Sequence, residues 1–89
     1  MEIVRIASAG TMESSDAYVE IEPGNNGIQI ELESVVQAQF GDAICAAVQD
    51  VLRCEGVNNA NIRIVDRGAL ECVIRARVET AVNRGREKA

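Results

Sequence analysis

The chain contains no histidine, no tryptophan and a single lysine among its 89 residues. Without histidine, Ser-His-Asp and Cys-His catalysis are both excluded. A serine–lysine arrangement would depend on Lys88, which lies in the predicted C-terminal tail. The sequence also contains neither a Gly-rich phosphate-binding loop nor a Gly-x-Gly-x-x-Gly motif. We therefore expect no catalytic residues, and a protein that is not an independent enzyme.

Aromatic residues and closely spaced cysteines are also scarce. Tyr18 and Phe40 are the only aromatic side chains, so the core must be aliphatic and nucleic-acid bases have no stacking platform. Cys45, Cys54 and Cys72 form no Cys-x-x-Cys motif, whereas structural zinc usually takes closely spaced Cys and His ligands. We expect three reduced, partly buried thiols and no metal site.

Long hydrophobic runs are missing as well. A membrane-spanning helix needs about 20 consecutive apolar residues, and the apolar runs of this chain are only a few residues long. Residues 1–5 lack the basic segment and following apolar segment that mark a signal peptide. We therefore expect no membrane partner and a cytoplasmic location.

Positive charge is nearly absent from the first half of the chain. Residues 1–50 carry nine acidic residues and one basic residue, Arg5, for a net charge of −8. Residues 51–89 carry five acidic and eight basic residues, for a net charge of +3. The acidic half argues against a nucleic-acid partner. The basic half is either an interaction face or an ordinary solvated surface.

Strand patterns occupy the first third of the chain. Residues 3–8, 17–22 and 28–33 are typical of strands, and the last two alternate apolar with polar residues. Residues 23–27, Pro-Gly-Asn-Asn-Gly, are a dense turn signal that predicts a hairpin between the second and third strands. The alternation predicts an antiparallel sheet that is covered on one face.

A helical pattern follows the third strand. Ser34 and Gln37 have the spacing of a capping box, which predicts a helix beginning at Ser34. Apolar residues then recur at helical spacing over about four turns, and Gly56 is the expected stop. Phe40 and Ile44 lie on this apolar stripe, so we expect both in the core.

The last third of the chain predicts a strand over 60–66 and a second helix over 68–85, where apolar residues repeat at intervals of three and four. A strand over 70–76 is the alternative to that helix. We predict a single domain over residues 1–89, with a frayed tail at 86–89. Its fold class is α+β, a small two-layer sandwich. A mainly antiparallel sheet, with the element order β-β-β-α-β-α, has two helices packed on one face.

The segment 9–16, Ala-Gly-Thr-Met-Glu-Ser-Ser-Asp, lies between the first two predicted strands. Ser14 and Ser15 place hydroxyl groups in this turn, and Glu13 and Asp16 flank them. Exposed loop serines without catalytic partners suit modification by another enzyme. The alternative is that these residues are ordinary turn formers.

Three blocks of the sequence, 9–16, 39–44 and 66–81, resemble the acyl carrier protein (gamma subunit) of citrate lyase, in that family's order and spacing. The resemblance implies a covalently attached 2′-(5″-phosphoribosyl)-3′-dephospho-coenzyme A, linked to a serine through a phosphodiester. The matching residue is Ser14. The family usually has glycine at the next position, where this chain has Ser15, the less favoured attachment site.

The same resemblance implies a bacterial carrier subunit that bears acetyl and citryl thioesters while citrate is cleaved to acetate and oxaloacetate. The implied partners are the alpha (acyl transferase) and beta (citryl lyase) subunits. A prosthetic-group transferase and an acetate ligase are implied as transient partners. Two alternatives stay open: the carrier subunit of malonate decarboxylase, which bears the same type of group, and an unmodified acidic adaptor domain.

Several residues of the second and third blocks are candidates for docking or for the core. Gly41 and Asp42 lie off the apolar stripe of the first helix, and Arg75 lies off that of the second, so all three are candidate docking residues. Leu70 is predicted in the core. Arg77 lies on the stripe, with its stem packed and its charged end reaching outward.

Overall fold

The computed structural model describes residues 2–87 as a four-stranded sheet with two helices. The elements are β1 (Ala7–Gly10), β2 (Ala17–Pro23), β3 (Ile28–Ser34), α1 (Gln37–Cys54), β4 (Ala60–Asp66) and α2 (Glu71–Gly85). This order and architecture confirm the predicted α+β sandwich, and the segment 70–76 belongs to a helix rather than a strand. Within residues 2–87, no helix is long and apolar enough to cross a membrane.

The strands lie in the order β1-β2-β4-β3. β1 pairs with β2 and β2 with β4 in antiparallel fashion, whereas β3 and β4 are parallel. The predicted hairpin between the second and third strands is therefore wrong, because β4 lies between them. The turn over residues 23–27 instead contacts the start of β4. Ala60 N donates to Gly27 O at 3.1 Å, and Gly27 N donates to Asn59 Oδ1 at 3.0 Å.

The core is aliphatic, as the composition predicts. In the two central strands Val19 lies opposite Ile64 and Ile21 opposite Ile62, and all four side chains are buried. The buried helical residues that pack over them are Ile44, Ala47, Val48, Val51 and Leu52 of α1, and Ile74, Val78, Ala81, Val82 and Gly85 of α2. Because side chains alternate along a strand, the other face of the sheet presents polar residues to solvent.

The first strand covers Ala7–Gly10 rather than residues 3–8. The backbone amides of Val4 and Arg5 both donate to Gly85 O, at 2.9 and 3.1 Å, so this segment follows the end of α2 instead of a strand. A side chain at Gly85 would crowd Ile3, which is buried there. Contact with the end of α2, and not pairing with β2, therefore determines the path of residues 3–5.

The capping box predicted at Ser34 is wrong. Ser34 ends β3, and its hydroxyl donates to Asp66 Oδ2 at 2.7 Å while accepting from Val36 N at 3.1 Å. Because Asp66 holds this hydroxyl, α1 begins later, at Gln37, and Val36 at its N-cap supplies no side-chain cap.

Two residues predicted in the core are exposed: Phe40 is 53% exposed and Leu70 72% exposed. Phe40 lies in the first turn of α1, and Leu70 has an extended backbone just before α2. Both line a groove between the two helices. At helix ends, periodicity alone does not decide burial.

Within the predicted tail, Arg86 donates to Glu55 O at 3.1 Å and to Glu55 Oε1 at 2.7 Å. Lys88 and Ala89 lie outside the described residues. A frayed tail, like the extent of the domain, stays a prediction.

Candidate functional site

The loop over residues 11–16 joins β1 to β2, and we call it the serine loop. Gly10, the last residue of β1, precedes the loop, and its φ of +89° is a conformation that glycine adopts readily. A Cβ atom at Gly10 would collide with the carbonyl oxygen of Ala17, so only glycine allows the two strand ends to approach this closely. The strand pairing stops at Gly10 and Tyr18, and the loop projects beyond it.

Asp16 organises the serine loop through its carboxylate. Arg77 of α2 donates to it from Nε at 3.0 Å and from Nη2 at 3.1 Å. Thr11 Oγ1 donates at 2.7 Å and the backbone amide of Ala17 at 2.7 Å. These hydrogen bonds, that of Arg77 first, lower the pKa of Asp16 to about 2. Asp16 is therefore ionised at neutral pH and acts as a positioning group.

A second set of bonds fixes the loop to the connection between β4 and α2. Ser15 N donates to Arg67 O at 2.8 Å, and Arg67 N donates to Asp16 O at 2.9 Å. Asp66 in turn holds this connection, because its buried carboxylate accepts from Gly68 N at 3.1 Å and from Ala69 N at 2.9 Å. The residue blocks 9–16 and 66–81 therefore form one structural unit.

The two serines differ in their backbone environment. Ser14 is exposed in the turn, and its hydroxyl has no hydrogen-bond partner among residues 2–87. Ser15 has a φ of +66°, in the left-handed region, and its amide is bound to Arg67. A left-handed conformation favours glycine, so the position where the resembled family has glycine is one that the fold itself makes unfavourable for other residues.

The predicted docking residues differ in their contacts and exposure. Arg75 is not a free outward-facing charge, because it bonds Asp50 at 2.8 Å and Glu71 at 3.0 Å. This contact joins α2 to α1 and lowers the pKa of Asp50. Asp42 is exposed, with no ion-pair partner in the described part of the chain, and Gly41 is half-buried.

The charged end of Arg77 reaches the serine loop, where its guanidinium lies against Asp16 while the side chain stays 40% exposed. Hydropathy periodicity places Arg77 on a face of the helix but carries no information about a partner 61 residues away. The two arginine contacts of the serine loop, from the backbone of Arg67 and the side chain of Arg77, are thus the features of the candidate site that the sequence did not reveal.

The thiols are free, as predicted, but Cys54 and Cys72 are exposed rather than partly buried, while Cys45 is half-buried. No group of three or more His, Cys, Asp or Glu side chains that could hold a metal ion occurs in residues 2–87.

Comparison with known proteins shows the family to which the chain is related. The family model described as malonate decarboxylase delta subunit matches residues 4–85. The citrate lyase acyl carrier protein of Halothermothrix orenii is 51% identical over 84 residues, covering 94% of this chain and 89% of that protein. That of Escherichia fergusonii is 52% identical over 89 residues, covering 99% and 92%.

The fold also has a solved counterpart. A chain in the crystal structure of a Pseudomonas malonate decarboxylase hetero-tetramer in complex with malonate superposes with a TM-score of 0.66 and 25% identity, over 90% of this chain and 82% of that one. Membership of an acyl carrier family implies a covalently attached prosthetic group and a carrier role without catalysis. The chain belongs to the family of the citrate lyase acyl carrier proteins.

Proposed function

We propose that this chain is the acyl carrier subunit of citrate lyase and that Ser14 is the attachment site of its 2′-(5″-phosphoribosyl)-3′-dephospho-coenzyme A. The observation that carries the proposal is the environment of the Ser14 hydroxyl: it is exposed, without a hydrogen-bond partner in the described residues, on a loop held at both ends. An external enzyme can reach such a hydroxyl without unfolding any part of the domain.

The residues around Ser14 fit the proposed group in charge as well as in access. The guanidinium of Arg67 is exposed and has no ion-pair partner within residues 2–87. The nearby carboxylate of Asp16 is already neutralised by Arg77. An anionic phosphodiester at Ser14 therefore has an available cation in this region. Of the acidic residues that flank the serines, Asp16 is paired with Arg77 and Glu13 is exposed to solvent.

When attached, the group supplies a terminal thiol that carries acetyl and citryl groups as thioesters between the active sites of other subunits. The chain itself supplies a fixed anchor. Tethering makes each later encounter intramolecular, at effective concentrations on the order of millimolar. The proposed partners are the alpha (acyl transferase) and beta (citryl lyase) subunits, together with the prosthetic-group transferase and the acetate ligase. The proposed location is the cytoplasm.

Ser14 is favoured over Ser15 as the attachment site because the backbone of Ser15 is already held by the fold. Its amide bonds Arg67 O and its φ is positive, so a bulky group on Ser15 would act directly on the contact that anchors the loop. Ser14 has neither constraint, since Ser15 is the one non-glycine residue with positive φ in the described chain.

The test is modification by the prosthetic-group transferase, followed by intact mass and peptide mapping of residues 9–22. Ser14→Ala is expected to stay unmodified, whereas Ser15→Gly, the matched variant at the next position, is expected to accept the group. The reverse result would move the attachment to Ser15. An unmodified wild-type chain, together with citrate lyase activity that survives Ser14→Ala, would instead support the unmodified adaptor domain.

A second candidate, the carrier subunit of malonate decarboxylase, is favoured by the matching family model and by the structural likeness to the Pseudomonas chain. Identity near one half to citrate lyase carriers, against one quarter to that chain, favours citrate lyase. Supplying the modified chain to each set of partner subunits decides between them, because only the cognate set regains activity.

A further inference from the structure

A groove of about 320 Å³ lies between α1, α2 and the connection that precedes α2. Its walls are almost entirely apolar, and their principal residues are Val36, Phe40, Ala43, Ile44, Ala69 and Leu70. Phe40 and Leu70 stand at its rim with more than half of their surface exposed. A cavity of this size lies at the lower end of the range of small-molecule sites.

The groove lies next to the serine loop. Gly68 and Ala69 line it, and Arg67, which comes just before them in the chain, accepts the hydrogen bond from Ser15 N. Ser14 is one residue from Ser15 and Gly68 is one residue from Arg67, and consecutive Cα atoms are about 3.8 Å apart, so with the Ser15–Arg67 hydrogen bond between them a group attached to Ser14 starts on the order of 10 Å from the groove. A long tethered group reaches that distance easily.

Between the serine loop and the groove the character of the surface changes from cationic to apolar. The unpaired guanidinium belongs to Arg67, whose backbone bonds the serine loop. Inside the groove the acceptor sites of the Asp66 carboxylate are occupied, because Ser34, Gly68 and Ala69 all donate to it. The path therefore suits a ligand that is anionic near its attachment point and carries apolar groups farther out.

We propose that this groove holds the pantetheine segment of the group attached to Ser14, with its methyl and methylene groups against the apolar walls and Arg67 facing its phosphates. The inference rests on the proposed function, since it requires an attached coenzyme A derivative. Phe40 and Leu70 then cover a segment of the same molecule rather than solvent, which accounts for their exposure. The groove shields the segment between visits to partner subunits, and the tether keeps it nearby.

The binding has to be weak to allow release. With a tethered effective concentration of about 1 mM and an untethered Kd of about 1 mM, the groove is roughly half occupied. Hydrogen exchange of amides in residues 40–47 and 68–74 is then expected to slow by about twofold on modification of the full-length chain. Free pantetheine at about 10 mM, added to the unmodified chain, is expected to slow the same amides.

Two variants of α1 provide the matched comparison. Ala43 and Ala46 are both exposed on the same helix, but only Ala43 lines the groove. Ala43→Leu is expected to abolish the slowing and Ala46→Leu to retain it. Circular dichroism checks that each variant folds, and Phe40→Ala, which removes a rim side chain, gives a second variant that should reduce the effect.

The outcomes separate this inference from the proposed function. If mass spectrometry shows no modification, the proposed function fails. If the group is attached but exchange in the groove is unchanged, or unchanged by Ala43→Leu, only the groove assignment is overturned. Slowing that occurs solely after partner subunits are added would likewise overturn it, and would make the groove a protein interface.

Discussion

Arg77 of α2 and Asp16 of the serine loop are joined by two parallel hydrogen bonds, of 3.0 and 3.1 Å, across 61 residues of sequence. A two-point contact between a guanidinium and a carboxylate fixes direction as well as distance. It therefore attaches the loop that carries Ser14 to the helix that covers the sheet. Thr11 extends the contact by donating to the same carboxylate.

Arg77→Lys is the first test of this arrangement. Lysine keeps the charge but loses the planar two-point contact, so the loop loses its fixed orientation while the domain stays folded. We expect the rate of modification at Ser14 to fall by about tenfold to a hundredfold, because a misplacement of about 1 Å can cost about a hundredfold in rate. Arg84→Lys is the matched control, since Arg84 lies on the same helix and contacts Ser8 O instead. Equal rates for both variants would remove Arg77 from this role.

The depressed pKa of Asp16 leads to a prediction about how the stability of the protein depends on pH. A carboxyl whose pKa falls from 3.8 to about 2 on folding contributes stability that is complete above about pH 5 and is lost as the pH falls through about 2. Urea unfolding from pH 6 to pH 2 should show wild type losing stability faster than Asp16→Asn, so that the two curves converge. Curves that stay parallel across this range would contradict the depressed pKa.

Ser15→Gly is expected to stabilise the protein. A left-handed residue other than glycine costs about 1–2 kcal/mol, whereas glycine costs about 0.5–1 kcal/mol through the entropy of the unfolded chain. The expected net gain is about 0.5 kcal/mol in the free energy of unfolding. Ser14→Gly, where the backbone is not left-handed, should instead lose about 0.5–1 kcal/mol. Denaturant unfolding of both variants measures the difference in sign.

Two isoleucines test the position of the first strand. Ile21 is fully buried and Ile6 is 65% exposed. Ile21→Ala should cost about 2–5 kcal/mol of unfolding free energy, and Ile6→Ala less than about 0.5 kcal/mol. If Ile6→Ala cost as much as Ile21→Ala, residues 3–8 would form a core strand after all.

Charge reversal at the predicted docking residues now has two different expected outcomes. Asp42→Lys should leave stability unchanged and weaken assembly with partner subunits, because Asp42 has no ion-pair partner within residues 2–87. Arg75→Glu should lower the melting temperature as well, because it breaks the contact with Asp50 on α1. Thermal unfolding and a subunit pull-down of the two variants separate the effects. Unchanged assembly in Asp42→Lys would exclude Asp42 from the docking surface.

The sequence by itself determined the order and kind of the elements. The alternation over 28–33 and the intervals of three and four after Gly68 are local patterns, and local patterns reflect the period of a strand or a helix directly. With two aromatic residues in the whole chain, an aliphatic core was unavoidable. The sequence also held the three motif blocks that identify the family.

Only the tertiary structure decided which elements are neighbours. β4 lies between β2 and β3 because the crossover through α1 returns the chain parallel to β3, and no signal in the Pro23–Gly27 turn reveals this. The same holds for the partners of single side chains: Ser34 with Asp66, and Arg77 with Asp16. Hydropathy periodicity reports which face of an element is apolar. The identity of a partner 32 or 61 residues away depends on how the elements pack in space.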